Sequence, residues 1–422
     1  MKACISPSTC KGMVAIPASK SMAHRAIIAA SLAKGVSTID NITFSQDILA
    51  TIACMRQLGA TITIESNRCI VSGMTSIKHQ DEIIDANESG STLRFLIPIF
   101  SLCDHEVIFT GSKRLLERPL SIYETIYHNQ QLQFIQKDGH LITKGKLKPD
   151  TYHIPGNISS QFISGLLFTL PLLEKPSIIK IMEPFESSSY VSLTIEMLKR
   201  YHINIEKKDD FTFYIPANQT YQATNYQVEG DYSQFAFFAV YAAIAGTLTI
   251  TNVNHNSHQG DKQILTILKD FHVKIEEVEN GYKIYQSELI AHDIDLQNCP
   301  DLGPILCVLA MYAKGKTTIR HATRLRIKES DRIAAMETEL QKFGVSISSS
   351  YDEIEILGNT NYTCTKPLEG HNDHRIVMAL AIASACSQSE TTILDAQAIA
   401  KSYPTFFDDF STVKGLVKCY DI

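Results

Sequence analysis

An apolar strand carrying an isoleucine recurs six times along the chain, at Ile39, Ile108, Ile179, Ile250, Ile319 and Ile393. The spacing is about 70 residues each time, and the series accounts for the whole sequence. Two further landmarks keep the same step. A helix end runs into a strand at Leu58-Gly-Ala-Thr-Ile62, Tyr201-His-Ile-Asn-Ile205, Phe271-His-Val-Lys-Ile275 and Phe343-Gly-Val-Ser-Ile347, with fainter equivalents near Gln130 and Gly415. A polar or small residue opens a strongly apolar helix at Ser21, Ser91, Ser160, Ser233, Asp301 and Asp373. Each repeat thus reads as strand, buried helix, strand, amphipathic helix, strand. Repeats of this length are too long for a solenoid and suit a few compact domains. Helices that are apolar all round, such as the run from Phe235 to Ala245, must be covered on every side. A ring of sheets around them does this, so the chain is predicted to be an α/β protein. Halving six repeats puts a boundary near Gln227 to Asp231.

Composition removes several classes of function. With 422 residues, 20% charged and 44% hydrophobic, the chain has ample material for two or three folded domains. Its net charge of −6 provides no overall basic field for nucleic acid, so anions must be met by local clusters. The longest apolar runs, such as Ile376 to Ala385, are too short to span a bilayer. The first residues lack the apolar core of a signal peptide. Ten cysteines are scattered without a CxxC pair, which suits reduced thiols in a cytoplasm. His255/His258 and His371/His374 are closely spaced, but no cluster supplies further ligands, and no metal site is expected.

The polar residues that remain gather at predicted helix starts. Arg324-Leu-Arg-Ile-Lys-Glu-Ser-Asp-Arg332 leads into an amphipathic helix with apolar positions 333, 336, 340 and 343. Lys328 and Arg332 are four apart and Glu329 is three before Arg332, so on a helix they share a face. Lys20, Ser21 and Arg25 cluster before Ala26-Ile-Ile-Ala-Ala30. Glu88-Ser-Gly-Ser-Thr-Leu-Arg94 repeats that arrangement, with Gly90 permitting close backbone approach. Arg118 precedes a helix-opening proline. Ser159, Ser160 and Gln161 open another apolar helix, and Ser187 heads a serine run. Asp301 precedes a buried helix, Arg375 enters one, and Lys401 closes the series. Singly, most of these can be read as a helix cap or a solvated charge, while an arginine entering a fully apolar helix is harder to dismiss because unpaired burial is so unfavourable. Together, and converging on one cleft, they would bind a small molecule bearing several phosphate and carboxylate groups. Asp301 and Glu329 are then the acid/base candidates, with Lys20 or Lys401 at hand.

Pro17-Ala-Ser-Lys-Ser21, Ser89-Gly-Ser-Thr-Leu-Arg94, Gly156-Asn-Ile-Ser-Ser-Gln-Phe162, Leu325-Arg-Ile-Lys-Glu-Ser-Asp-Arg-Ile333 and Asn372-Asp-His-Arg375 closely resemble the 5-enolpyruvylshikimate-3-phosphate synthase family, in order and over essentially the whole chain. The resemblance implies two similar domains of three βα repeats each, an inside-out α/β barrel with buried helices, joined by a two-strand hinge. Residues 1–18 with 229–422 would form one domain and 19–228 the other. It implies transfer of the enolpyruvyl group of phosphoenolpyruvate to the 5-hydroxyl of shikimate 3-phosphate with release of phosphate, as part of aromatic amino acid biosynthesis. It implies no metal or organic cofactor, a cytoplasmic monomer, and closure of the two domains over both substrates. Asp301 would take the hydroxyl proton. Glu329 would protonate the enol methylene and later deprotonate the methyl group, with Lys20 and Lys401 assisting. Shikimate 3-phosphate would be held by Lys20, Ser21, Arg25, Ser159, Ser160, Gln161, Ser187, Asp301 and Lys328. Phosphoenolpyruvate would be held by Lys20, Gly90, Arg118, Gln161, Arg332, Arg375 and Lys401.

Two positions depart from the family pattern: Glu88 stands where asparagine is usual, and Arg324 adds a charge ahead of the Lys-Glu-Ser-Asp-Arg motif. Gly90 matches the glycine associated in the family with glyphosate sensitivity. The sister enzyme that uses UDP-N-acetylglucosamine resembles the chain less, because the segment from Arg114 to Pro119 lacks its cysteine-bearing loop. A non-catalytic polyanion-binding module would not need both Asp301 and Glu329.

Overall fold

A computed structural model of the chain describes residues 1–74 and 83–421. The chain divides into two compact units, Met1–Pro17 with Glu229–Ile422, and Ala18–Val228, each with its own apolar core. Three buried helices run through the core of each. In the Ala18–Val228 unit these are α1 (Lys20–Leu32), α2 (Gly90–Phe100) and α3 (Ser160–Thr169). In the other they are α4 (Tyr232–Ala245), α5 (Gly303–Met311) and α6 (His374–Ala385). Every residue of α5 and α6 is buried, which is why neither shows a polar stripe. Each large apolar side chain so covered stabilises the fold by about 1.5–3 kcal/mol.

Five of these helices start on a side-chain cap. Ser19, Ser89 and Ser159 accept from the amides of Met22, Thr92 and Gln161; Asp231 accepts from Ser233 and Gln234, and Asp373 from Arg375. The sequence reading placed the openings at Ser21, Ser91, Ser160 and Ser233, one or two residues too late. Those serines lie inside the first turn, because a cap must precede the amides it satisfies. Asp301 is not a cap. It sits in the short 3-10 turn Pro300–Leu302, and α5 follows without a side-chain cap.

Among the described residues, six sheets pack around these helices. The recurring isoleucine lies on an inner strand in five of them, β1 (Val36–Asp40), β2 (Glu106–Thr110), β3 (Ser177–Met182), β4 (Gly246–Thr251) and β5 (Gly315–Arg320), and in the sixth on β6 (Thr391–Ile393), which flanks the central Lys2–Ser6. Each has a parallel neighbour on one side and an antiparallel one on the other. The recurring isoleucine is fully buried in five of the six. The second repeat slips by one: Phe109 pairs with Ile84 and is buried, while Ile108 is only half-buried. Because strand side chains alternate faces, a one-residue offset moves the landmark to the other face. The amphipathic helices are also followed by two strands rather than the single one expected, as in Thr61–Glu65 with Arg68–Ser72. The returning strand inserts next to the central strand, behind a tight turn with Ser66 at positive φ.

The repeats close on themselves within each unit. Tyr226–Gln227 supplies the parallel neighbour of β1 from the far end of its unit. Lys2–Ser6 lies between β6 and Leu416–Tyr420, and Cys10–Ala15 pairs with β4. The first residues of the chain therefore complete the sixth repeat and begin the fourth.

Candidate active site

The Glu229–Ile422 unit gathers its charges at the start of its buried helices. Asp301, held in the turn before α5, meets three cations: Lys328 Nζ at 3.1 Å and Arg332 Nη1 at 3.2 Å on Oδ1, and Arg375 Nη2 at 3.1 Å on Oδ2. Burial alone would raise this carboxyl, but Arg375, Lys328 and Arg332 together hold it well below the usual carboxylate range. Arg332 opens the helix Arg332–Gln341 and is 1% exposed. Its Nη2 donates to Glu329 Oε2 at 2.7 Å and its Nε to Asp373 Oδ2 at 2.8 Å. Burial opposes its charge; Asp373, Glu329 and Asp301 more than offset this and push its pKa above the ordinary arginine value. Arg375, in the first turn of α6, also donates to Ser233 Oγ at 3.1 Å, and Ser233 donates in turn to Asp231 Oδ1 at 2.5 Å. Arg375 Nη1 is buried without a hydrogen-bond partner among the described residues. Lys401 is buried and donates to the Asn372 carbonyl at 2.5 Å.

The sequence reading put Lys328 and Glu329 on one face of a helix with Arg332. The helix begins only at Arg332, capped by Asp331, and Lys328 follows a 3-10 segment, Thr323–Ile327, in extended backbone. The three side chains still meet without helical spacing: Lys328 and Arg332 converge on Asp301, and Glu329 pairs directly with Arg332. Arg324 is buried and donates to the carbonyl of Gln297 at 2.6 Å.

In the Ala18–Val228 unit, cross-links join the starts of all three buried helices. Lys20, the first residue of α1, donates to Asp47 Oδ2 at 2.7 Å. One turn on, His24 Nδ1 lies 2.8 Å from Thr51 Oγ1, which is 2.7 Å from Thr92 Oγ1 in α2. Burial, reinforced by Lys20 and Arg25, holds the His24 imidazole well below its ordinary pKa. Arg94 of α2 donates to Gln161 Oε1 at 2.8 Å, and Gln161 Nε2 donates to Ser91 Oγ at 3.0 Å, tying α2 to α3. Ser159 caps Gln161 at 3.3 Å, and Ser160 is the first residue of α3. Gly90 opens α2 beneath the buried Arg118. A Cβ at Gly90 would lie 2.8 Å from Arg118 Nη1 and 2.9 Å from Cζ. Ser187 is buried with left-handed backbone, φ 53°, at the head of the helix Ser188–Arg200. A non-glycine residue held there stores strain of a kind found at ligand sites. Arg25 is 2% exposed, and its donors reach Thr194 Oγ1, the Ser21 carbonyl and the Tyr190 carbonyl at 2.8–2.9 Å. Burial lowers its pKa to about 10. Arg25 thus joins α1 to the Ser188–Arg200 helix, and Ser21 contributes its carbonyl to that link.

Within each unit, then, the residues singled out from sequence lie at buried-helix starts or on loops beside them. Asp47, the partner of Lys20, carries no sequence signal, since nothing in spacing links positions 20 and 47. In the sequence Asp373 and Ser233 read only as helix openers. A buried arginine entering α6 was a signal that a buried acid must be near.

Against this geometry the comparisons with known proteins are direct. Residues 5–410 match the family model described as EPSP synthase (3-phosphoshikimate 1-carboxyvinyltransferase). The chain is 43% identical over 427 residues to a 3-phosphoshikimate 1-carboxyvinyltransferase of Clostridium perfringens, covering 99% of both. It is 42% identical over 425 residues to one from Clostridioides difficile, covering 98% of this chain and 97% of the relative. A solved EPSP synthase structure from Acinetobacter baumannii aligns over 100% of both chains with TM-score 0.83 at 25% identity. A match over nearly the full length, by sequence and by fold, places the chain in the EPSP synthase family.

Proposed function

We infer that the protein transfers the enolpyruvyl group of phosphoenolpyruvate to the 5-hydroxyl of shikimate 3-phosphate and releases inorganic phosphate, a step of the shikimate pathway. The hydroxyl oxygen bonds to C2 of phosphoenolpyruvate and gives up its proton, while C3 gains one and becomes a methyl group. The tetrahedral adduct then expels phosphate as a proton leaves that methyl.

One observation carries the residue roles: Asp301 and Glu329 are bridged by the single guanidinium of Arg332, with Lys328 and Arg375 on Asp301 as well. Asp301, kept ionised by those cations, accepts the hydroxyl proton from shikimate 3-phosphate. Glu329 handles both transfers at C3, and Lys401 assists from the end of the 3-10 helix Ala396–Lys401, where it is held by the Asn372 carbonyl. Arg332 and Arg375 hold phosphoenolpyruvate and take up charge on the leaving phosphate, an electrostatic role that is strong where water is excluded. The unpartnered Arg375 Nη1 supplies a donor for that anion. Lys328 serves shikimate 3-phosphate beside Asp301. In the other unit, Lys20, Gly90 and Arg118 serve phosphoenolpyruvate, Gln161 serves both substrates, and Ser159, Ser160 and Ser187 serve the shikimate phosphate. Arg25 and Ser21 act on its carboxylate through the link they form between helices. The protein is a monomer working in the cytoplasm, for which its ten free cysteines are suited.

Turnover in deuterium oxide tests the chemistry. Because C3 passes through a methyl group, deuterium should appear in the product's vinyl methylene. Product formed without any deuterium there would exclude the addition–elimination route.

A further inference from the structure

Asp301 sits in the one-turn 3-10 segment Pro300–Leu302 and Lys328 in extended backbone just after another 3-10 segment, so no α-helix or sheet ladder fixes their 3.1 Å contact. Two consecutive residues of the Thr323–Ile327 segment do so instead. Arg324, 6% exposed, donates through Nη2 to the Gln297 carbonyl at 2.6 Å and approaches the Leu296 carbonyl at 3.4 Å. Leu296 O also accepts from Cys299 N at 3.2 Å, so the guanidinium grips the start of the turn that carries Asp301. Leu325, 1% exposed, packs on the other end. A Cβ at Gly303 would lie 2.6 Å from Leu325 Cδ1 and 3.1 Å from Cδ2. The segment 296–303 is therefore held on both sides of Asp301 by residues 324 and 325, and the same segment delivers Lys328 a few residues later.

We propose that Arg324 is a positioning residue for the reaction, clamping the Asp301 turn so that the carboxylate stays in place between Lys328, Arg332 and Arg375. A buried arginine is costly unless its donors are used, and here Nη2 is used on main-chain carbonyls that determine where a reacting group lies. A single nitrogen, Nη2, meets both carbonyls, held there by the planar guanidinium, whereas a lysine ammonium on a flexible stem is less firmly placed. The assignment rests on the role of Asp301 given above.

The test is a double-mutant cycle on phosphate release, with kcat/KM for shikimate 3-phosphate as the measured quantity. Arg324→Met should lower it about tenfold to a hundredfold, the scale expected when a reacting group is displaced by about an ångström. KM for phosphoenolpyruvate should stay within about twofold, and Arg324→Lys should recover part of the loss. Added to Asp301→Asn, Arg324→Met should cost nothing more. Losses that multiply in the double variant, or a KM for phosphoenolpyruvate that rises with the loss, would show a merely structural residue and overturn the proposal. If Arg324→Met does not fold, the same cycle run with Arg324→Lys decides between additive and absent effects. Wild-type turnover in Asp301→Asn would overturn the role of Asp301 and the clamp with it. A crippled Asp301→Asn beside an unaffected Arg324→Met would overturn the clamp alone.

Discussion

Arg332 holds Glu329 at 2.7 Å, Nη2 to Oε2, from a side chain that is itself 1% exposed. The same guanidinium reaches Asp301 and Asp373, so one buried cation fixes both proposed proton-transfer groups and the cap of α6. Substitutions in this cluster should therefore separate into those that stop chemistry and those that break the fold.

Glu329→Gln and Asp301→Asn keep the shape of each side chain and remove its basicity. Each should bind shikimate 3-phosphate yet lower turnover by about 10²- to 10⁴-fold, the usual contribution of a positioned acid or base. Calorimetric binding together with steady-state phosphate release would show it. Near-normal turnover in both variants would remove the roles assigned to them.

Arg332→Met leaves Asp373, fully buried, without its main partner. Breaking a buried pair by removing one member costs about 3–5 kcal/mol, and urea unfolding should show a loss of that size. Adding Asp373→Asn should return part of it, since the uncompensated charge is then gone. A loss under about 1 kcal/mol would mean that the cluster does not hold the fold in this way.

That partition was only partly legible in the sequence. The sixfold step, the buried helices and the residues at their starts could be read because burial on all sides leaves an unbroken apolar run, and because Lys, Arg and Ser at a helix start are conspicuous beside it. The partner of Lys20 could not be read, since Asp47 is brought to it by tertiary packing of two helices separated in the chain by strand β1. Helical spacing explained Lys328 and Glu329 for the wrong reason: both precede the helix, and Asp301 and Arg332 gather them. The slip from Ile108 to Phe109 escaped notice because neighbouring apolar residues carry the same signal on opposite faces.

Acid stability should report the cluster as well. Burial raises the Asp373 carboxyl, Arg332 lowers it further than that, and its folded pKa lies below the ordinary value. Asp301 is depressed in the same sense by Arg375, Lys328 and Arg332 against burial. Groups depressed on folding contribute stability that is fully present above the unfolded pKa, about 4 for aspartate, and is lost as pH falls through the folded value. Stability should thus be indifferent to both groups from neutral pH down to about 5 and fall below about 4. Asp373→Asn should show a shallower acid decline in urea midpoints between pH 5 and 3. An acid slope identical to the parent's would contradict the assignment.

Gly90→Ala places a methyl group against the Arg118 guanidinium, 2.8–2.9 Å from its atoms, so that arginine must move. KM for phosphoenolpyruvate should rise about tenfold, the effect of losing roughly 1.4 kcal/mol of binding, with affinity for shikimate 3-phosphate little changed. Inhibition by glyphosate, expected for the parent from Gly90, should weaken in the same variant. Unchanged kinetics would show that Arg118 does not serve phosphoenolpyruvate.

The central claim is tested most directly by measuring phosphate release with shikimate 3-phosphate and phosphoenolpyruvate together and with each alone. Release only when both are present, matched by the enolpyruvyl product, is the predicted result. Tight binding of shikimate 3-phosphate without release would contradict it and describe a binding module, while absence of binding would direct the search to UDP-N-acetylglucosamine as the acceptor.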